Sequence, residues 1–164
     1  MRLIHLPSVW TVLLDIVIWY ILHMGIVFIV LRIPARRFNP NSLLFRQRHF
    51  ERDGQFYLKY VKIKQWKKYA PDGAAFSKKR GFPKKKLKEV GSIYLNRFFL
   101  ETCRAETAHW ILIGVAPLFF LWNRFWVGWF MILYAVAQNL PLIMIQRYNR
   151  IRFRHILRRR NVRV

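Results

Sequence analysis

Acidic side chains and cysteine are what this sequence has least of. Asp and Glu number 7 against 30 Lys and Arg, a formal charge of +23 over 164 residues. The single cysteine, Cys103, excludes an internal disulfide framework and an all-cysteine zinc site. The length leaves no room for a large catalytic domain with a second module. Internal repeats and interdomain linkers are also missing. What is abundant is apolar: 54% of the residues are hydrophobic and 17% aromatic. A disordered basic tail would lack that Trp, Phe and Ile content, and a soluble domain this basic would dilute it. A small membrane protein or a nucleic-acid binder with an unusually apolar core remains, and the order of the residues decides between them.

Three apolar blocks stand out. Val9 to Leu31 is 23 residues long with only Asp15 and His23 strongly polar, enough to cross a hydrocarbon core that needs about 20. A signal peptide would have an apolar core of roughly 7–15 residues and a small-residue cleavage site. Here only Arg2 precedes a longer run, and Leu31-Arg32-Ile33-Pro34-Ala35 is a poor cleavage site. Trp110 to Trp122 is too short to span alone, but it continues an apolar-rich helix that begins near Ile93. Asn123-Arg124 is a tight break, and Phe125 to Ile145 follows with Gln138, Asn139 and Pro141 inside it. The fold class expected is therefore an all-α integral membrane protein in one domain, with spans at 9–31, 108–122 and 125–145. The last two form a hairpin, helical because lipid forces each backbone group to pair within its own segment.

The charge fits this frame. The stretch 32–109 holds 20 Lys/Arg and the tail after Ile145 holds 8. Three crossings place both on one side, which the positive-inside bias makes cytoplasmic. The basic excess then reads as attraction to anionic lipid, about 1 kcal/mol per side chain, and not as a nucleic-acid footprint. The densest run, Lys78 to Lys88, is a solvated loop over lipid or a dock for an anionic substrate. After Ile145, Arg147, Arg150, Arg154 and Arg158 recur at helical spacing, so the third helix runs on along the interface. Residues 50–69, with Phe50, Phe56, Tyr57, Tyr60 and Trp66 among cations, form another interfacial segment that ends at the Pro71-Asp72-Gly73 turn.

The segment most able to do chemistry is Glu101-Thr-Cys-Arg104-Ala-Glu106-Thr-Ala-His109-Trp110. At about 100° per residue, His109 falls between Glu101 and Glu106 on one face, with Arg104 flanking Glu101. A carboxylate beside a histidine fixes its tautomer and makes a general base. The bland alternative is interfacial snorkelling plus ion pairs within the helix. Glu106-x-x-His109 is also a metal-ligand spacing, but a dinuclear site needs a second such motif and the chain has none. Gln138 and Asn139 are helix–helix glue or oxyanion donors. Arg147 and Arg150 clamp a phosphate or anchor to headgroups. Asp15 and His23 share a face with Trp19 and point into the bundle. Cys103 lies away from His109 on the wheel, as a passive residue.

Taken together, Glu101-x-x-Arg104-Ala105-Glu106-x-x-His109-Trp110, Phe130-x3-Tyr134-Ala135, Asn139-x-Pro141 and Gln146-Arg147-Tyr148-Asn149-Arg150 resemble the glycosyl-4,4'-diaponeurosporenoate acyltransferases. Further matches are Arg32-Ile33-Pro34 with Phe38, Phe50-Glu51 with Gly54 and Phe56, and Trp66-Lys67 with Asp72-Gly73, so the resemblance covers roughly residues 30–150. Asp15, His23 and Cys103 are not part of that pattern. The resemblance implies an enzyme of the bacterial cell membrane that attaches a fatty acyl chain to the sugar of a glycosylated carotenoid, the last step towards staphyloxanthin-type pigments. The donor would be acyl-CoA or acyl carrier protein, the acceptor that glycoside or another glycolipid in the membrane lipid, with no bound cofactor, metal or nucleic acid.

The chemistry assigns roles. His109 deprotonates the sugar hydroxyl, Glu101 or Glu106 orients it, Arg104 or Asn139 stabilises the oxyanion, and Arg147 and Arg150 hold donor phosphates. Gln146, Tyr148, Asn149 and Trp110 complete the substrate-binding set. The competing readings are a non-catalytic membrane scaffold of a lipid-modifying complex and a metal-dependent lipid enzyme.

Overall fold

A computed structural model describes residues 7–70 and 92–159; the Lys78–Lys88 run and the Pro71-Asp72-Gly73 turn lie outside the described residues. All the regular elements among the described residues are helices, with no strand. Helix α1 spans Ser8–Arg32, α2 Gln55–Lys59, α3 Ile63–Trp66, α4 Ser92–Val115 and α5 Phe125–Arg159. Short 3-10 turns at Ala35–Arg37, His49–Gly54, Lys67–Tyr69 and Ala116–Leu121 link them.

Helices α4 and α5 are antiparallel neighbours. Contacts between them run in opposite directions along the chain: Gly128 lies against the Phe120 ring at one end, His109 meets Asn139 midway, and Phe98 and Phe153 stack with ring centroids 4.4 Å apart at the other end. The break between them falls at Asn123-Arg124. The α-helical part of α4 stops at Val115, short of the expected limit of 122, and the chain tightens into the 3-10 turn. Pro117 is the reason, because it has no N–H to continue the ladder and belongs in the first turn of a new helix. Helix α5 instead passes unbroken through Pro141 to Arg159, so the basic tail is a continuation of the third apolar block.

Helix α1 packs on α4 through Ile26, Val30, Cys103, Ala108 and Leu112, with Phe38 and Phe45 of the following loop in the same cluster. Near the hairpin tip, Trp19 joins Ala116, Phe119, Met131 and Ala135. Asp15 is buried and accepts hydrogen bonds from Trp122 Nε1 and Asn123 Nδ2, both at 2.7 Å, so it faces the bundle. The short helices sit on α5 through Tyr57, Ile63, Ile145, Tyr148 and Ile151.

Two helices, Ser8–Arg32 and Phe125–Arg158, are long and apolar enough to cross a membrane. Their outer faces carry uncovered large apolar side chains, among them Trp10, Ile16 and Tyr20 on α1 and Trp126, Trp129, Phe130 and Leu133 on α5.

The backbone before α2 is forced. Arg52, Asp53 and Gly54 take φ of 40°, 55° and 91° in succession. Such values cost a residue with a Cβ about 1–2 kcal/mol. Space does not dictate glycine at 54, since an added Cβ would meet Tyr148 and Ile151 at an ordinary 3.7 Å. Gly54→Ala is therefore expected to lower stability by about 1–2 kcal/mol through backbone strain alone. Thermal unfolding in detergent checks this, and an unchanged midpoint contradicts it.

Candidate functional site

The α4–α5 seam carries two polar clusters. The larger is a chain of four ionic groups, three buried and one, Arg147, part-buried, joining three parts of the molecule. Glu51, from the turn before α2, and Glu106, from α4, are fully buried. Arg147 lies between them. Its Nε donates to Glu51 Oε1 at 2.8 Å and its Nη2 to Glu51 Oε2 at 3.2 Å. Nη1 reaches Glu106 Oε1 at 2.9 Å. Nη1 and Nη2 also donate to the Leu44 and Arg46 carbonyls at 3.0 and 3.1 Å. A guanidinium has five N–H donors, and these five contacts take them all. Arg150 Nη2 donates to Glu106 Oε2 at 2.5 Å, Nη1 points at Cys103 Sγ at 3.8 Å, and its plane lies over Phe45.

The carboxylates are saturated in turn. Glu51 accepts from the Arg48 N–H and from the Tyr57 hydroxyl at 2.5 Å, and Glu106 from Trp110 Nε1 at 3.2 Å. Burial pushes the Glu51 carboxyl up, but the hydrogen bonds from Arg147, Tyr57 and the Arg48 N–H outweigh it and hold the group below its ordinary 4.5. Burial, then the Glu51 contact, raises the Tyr57 phenol. The Cys103 thiol is likewise raised by burial, so it stays protonated and is a poor nucleophile.

The second cluster is smaller. His109 Nδ1 lies 2.9 Å from Asn139 Oδ1, and Asn139 Nδ2 donates to the Ala135 carbonyl at 2.9 Å. The carbonyl can only accept, which fixes the amide with its oxygen towards the ring. Nδ1 of the neutral imidazole must then carry the proton, and Nε2 is the basic nitrogen. Asn139 is fully buried and His109 partly so.

The expected residues thus come together, with different partners. The orienting contact of His109 is the amide of Asn139, where the helical wheel pointed to Glu101 or Glu106. Glu101 instead pairs with Arg104 at 2.5 Å, and Arg104 also reaches the Ile33 carbonyl at 3.5 Å. Glu106 is occupied by two guanidiniums and an indole. Arg147 and Arg150, expected to clamp phosphates, are tied to those carboxylates. Tyr148 and Asn149 hold Lys67, which bonds Asn149 Oδ1 and lies 5.4 Å from the Tyr148 ring centre. Gln146 is buried. Among the described residues no three His, Cys, Asp or Glu side chains gather as metal ligands.

Glu51, Tyr57 and Lys67 were not on the list of candidates. Glu51 and Lys67 fall within the Phe50-Glu51 and Trp66-Lys67 matches, the one signal that marked them. Lys67 is pulled down to about 8 by burial and by the charge of Arg152.

Two predictions follow from the buried chain. Removing one partner of a buried ion pair typically costs about 3–5 kcal/mol, so Glu106→Ala should lose stability on that scale; loss of turnover without loss of stability would contradict the structural role. The folded Glu51 carboxyl lies below its unfolded value, so its contribution is present above pH 4.5 and disappears as the pH falls through the folded value. Acid unfolding below pH 4.5 should therefore be shallower in Glu51→Gln than in the wild type.

The comparisons with known proteins agree with the resemblance read from the residues. A family model described as glycosyl-4,4'-diaponeurosporenoate acyltransferase matches residues 40–159. A protein of that name from Staphylococcus aureus strain bovine RF122 / ET3-1 is 32% identical over 140 residues, covering 85% of this chain and 84% of the relative. Proteins of the same name from strains N315 and USA300 are 31% identical over the same length. No solved structure matches. The chain is an acyl-transferring enzyme and belongs to the glycosyl-4,4'-diaponeurosporenoate acyltransferase family.

Proposed function

We propose that the protein is a membrane O-acyltransferase that moves a fatty acyl group from a thioester, carried by coenzyme A or acyl carrier protein, to a sugar hydroxyl of a glycosylated carotenoid. The names of its relatives support the substrate class. The observation that carries the chemistry is the His109–Asn139 pair, whose hydrogen bond makes Nε2 the basic nitrogen whenever the imidazole is neutral.

Helix α1 and the α4–α5 hairpin cross the membrane three times, with the basic segment and the C-terminal tail on the cytoplasmic side. The uncovered apolar faces of α1 and α5 support this. At 1.5 Å per residue, the 35 residues of α5 measure about 52 Å, longer than the roughly 30 Å hydrocarbon core. From the tip at Asn123-Arg124, Asn139 lies about 22 Å along the helix, towards the inner boundary. A bilayer-dissolved glycoside and a cytoplasmic thioester both reach that depth.

His109 Nε2 takes the proton of the attacking hydroxyl as its oxygen bonds to the thioester carbonyl carbon. Asn139 holds the ring through Nδ1–H and stabilises imidazolium. The second N–H of Asn139 is the donor for the tetrahedral oxyanion, since Arg104 is held away from the pair by Glu101 and the Ile33 carbonyl. Collapse breaks the C–S bond, and imidazolium returns its proton to the leaving thiolate. Trp110 sits at the exposed side of α4 beside His109, where the acceptor approaches. The buried Glu51–Arg147–Glu106–Arg150 chain and the Gln146–Asn149 block hold this seam in register.

General-base catalysis contributes about 10²–10⁴-fold. In cells making the glycosylated carotenoid, lipid extracts should show an added fatty-acyl mass that falls by that factor in His109→Ala. Undiminished ester in that variant overturns the mechanism.

A further inference from the structure

We infer that Arg154, on α5, is the anchor of a phosphate-binding site in the cleft between α5 and the 45–51 segment. Phe45, Glu51, Arg147, Arg150 and Arg154 line that cleft. Three of these are guanidiniums. Arg147 and Arg150 are matched by the two buried carboxylates, Glu51 and Glu106. That pairing leaves the third positive charge uncompensated.

Arg154 is that charge. It is half-buried and lies over the Phe99 ring, 5.6 Å from its centre. No carboxylate among the described residues is within ion-pair distance of it. Arg150 and Arg158 stand one turn to either side on the same face, and like charges at that spacing repel. The nearest opposite charge in the cleft, Glu51, is already taken up by Arg147, Tyr57 and the Arg48 N–H, so a half-buried Arg154 flanked by two further cations gains from an added anion, and a planar guanidinium suits phosphate in particular. The Phe99 face holds the side chain towards the cleft and lowers the entropy lost on binding. Arg147, which with Arg150 is the clamp candidate in the sequence, has no donor left to offer.

Assigning the phosphate to the acyl donor's carrier rests on the acyl-transfer reading; the anion site itself does not. Fifteen residues of α5 separate Arg154 from Asn139, about 22 Å of helix. An extended pantetheine-type arm covers that span, so a carrier phosphate held at Arg154 leaves its thioester within reach of His109.

The full chain in neutral phosphatidylcholine nanodiscs, titrated calorimetrically with coenzyme A and with inorganic phosphate as competitor, tests the site. Losing one charge-assisted contact should weaken Kd for coenzyme A roughly tenfold in Arg154→Ala. Arg154→Lys should recover part of the loss, and Arg158→Ala should bind like the wild type. Vesicles containing phosphatidylglycerol, in a separate arm, report headgroup binding. Equal coenzyme A affinity in wild type and Arg154→Ala overturns the site, as does a wild type that binds neither coenzyme A nor phosphate. A loss confined to phosphatidylglycerol vesicles overturns the donor assignment. The readout is binding, so absence of ester product alongside normal coenzyme A binding counts against the acyl-transfer reading alone.

Discussion

Four largely buried ionic groups tie the parts of this molecule to one another. Glu51, Arg147, Glu106 and Arg150 alternate in sign, and every donor of Arg147 is used. Burying such groups is unfavourable unless each finds its full complement of partners. That requirement gives the cluster its organising effect, since only one register of α4, α5 and the 44–57 segment satisfies all four at once. The left-handed backbone at Arg52, Asp53 and Gly54 is the strained price of turning Glu51 inward.

The arrangement separates two tasks that the sequence pattern mixes together. Most of the Gln146–Arg150 block faces inward and joins elements, with Arg147 and Arg150 on the carboxylates and Tyr148 and Asn149 on Lys67. The neighbouring pair, His109 and Asn139, one turn along α4 from Glu106, stands apart from that ionic chain and carries the proposed reactivity.

Much of the architecture was legible in the residue order. The tip at Asn123-Arg124, the inward turn of Asp15 and the run of α5 past Ile145 all followed from apolar length, breaks and periodicity. The candidate side chains could be picked out from the sequence, but their pairings could not. A helical wheel ranks neighbours on one helix, and on α4 it placed His109 between Glu101 and Glu106. The actual partners come from α5, whose register no wheel of α4 contains. Two guanidiniums outcompete an imidazole for Glu106, and Asn139 then takes the ring. Glu51 lies 96 residues from Arg147 in a segment without periodicity, so nothing local announced its role. The early end of α4 at Val115 was readable in Pro117 and was outweighed by the apolar run around it.

The account depends on which nitrogen of His109 carries the proton. Nitrogen-15 NMR of selectively labelled histidine, assigned with His109→Gln in nanodiscs above the ring's pKa, reads this directly. The account predicts a protonated Nδ1 and a pyridine-type Nε2. A neutral ring protonated at Nε2 would leave no base facing the hydroxyl and would contradict it.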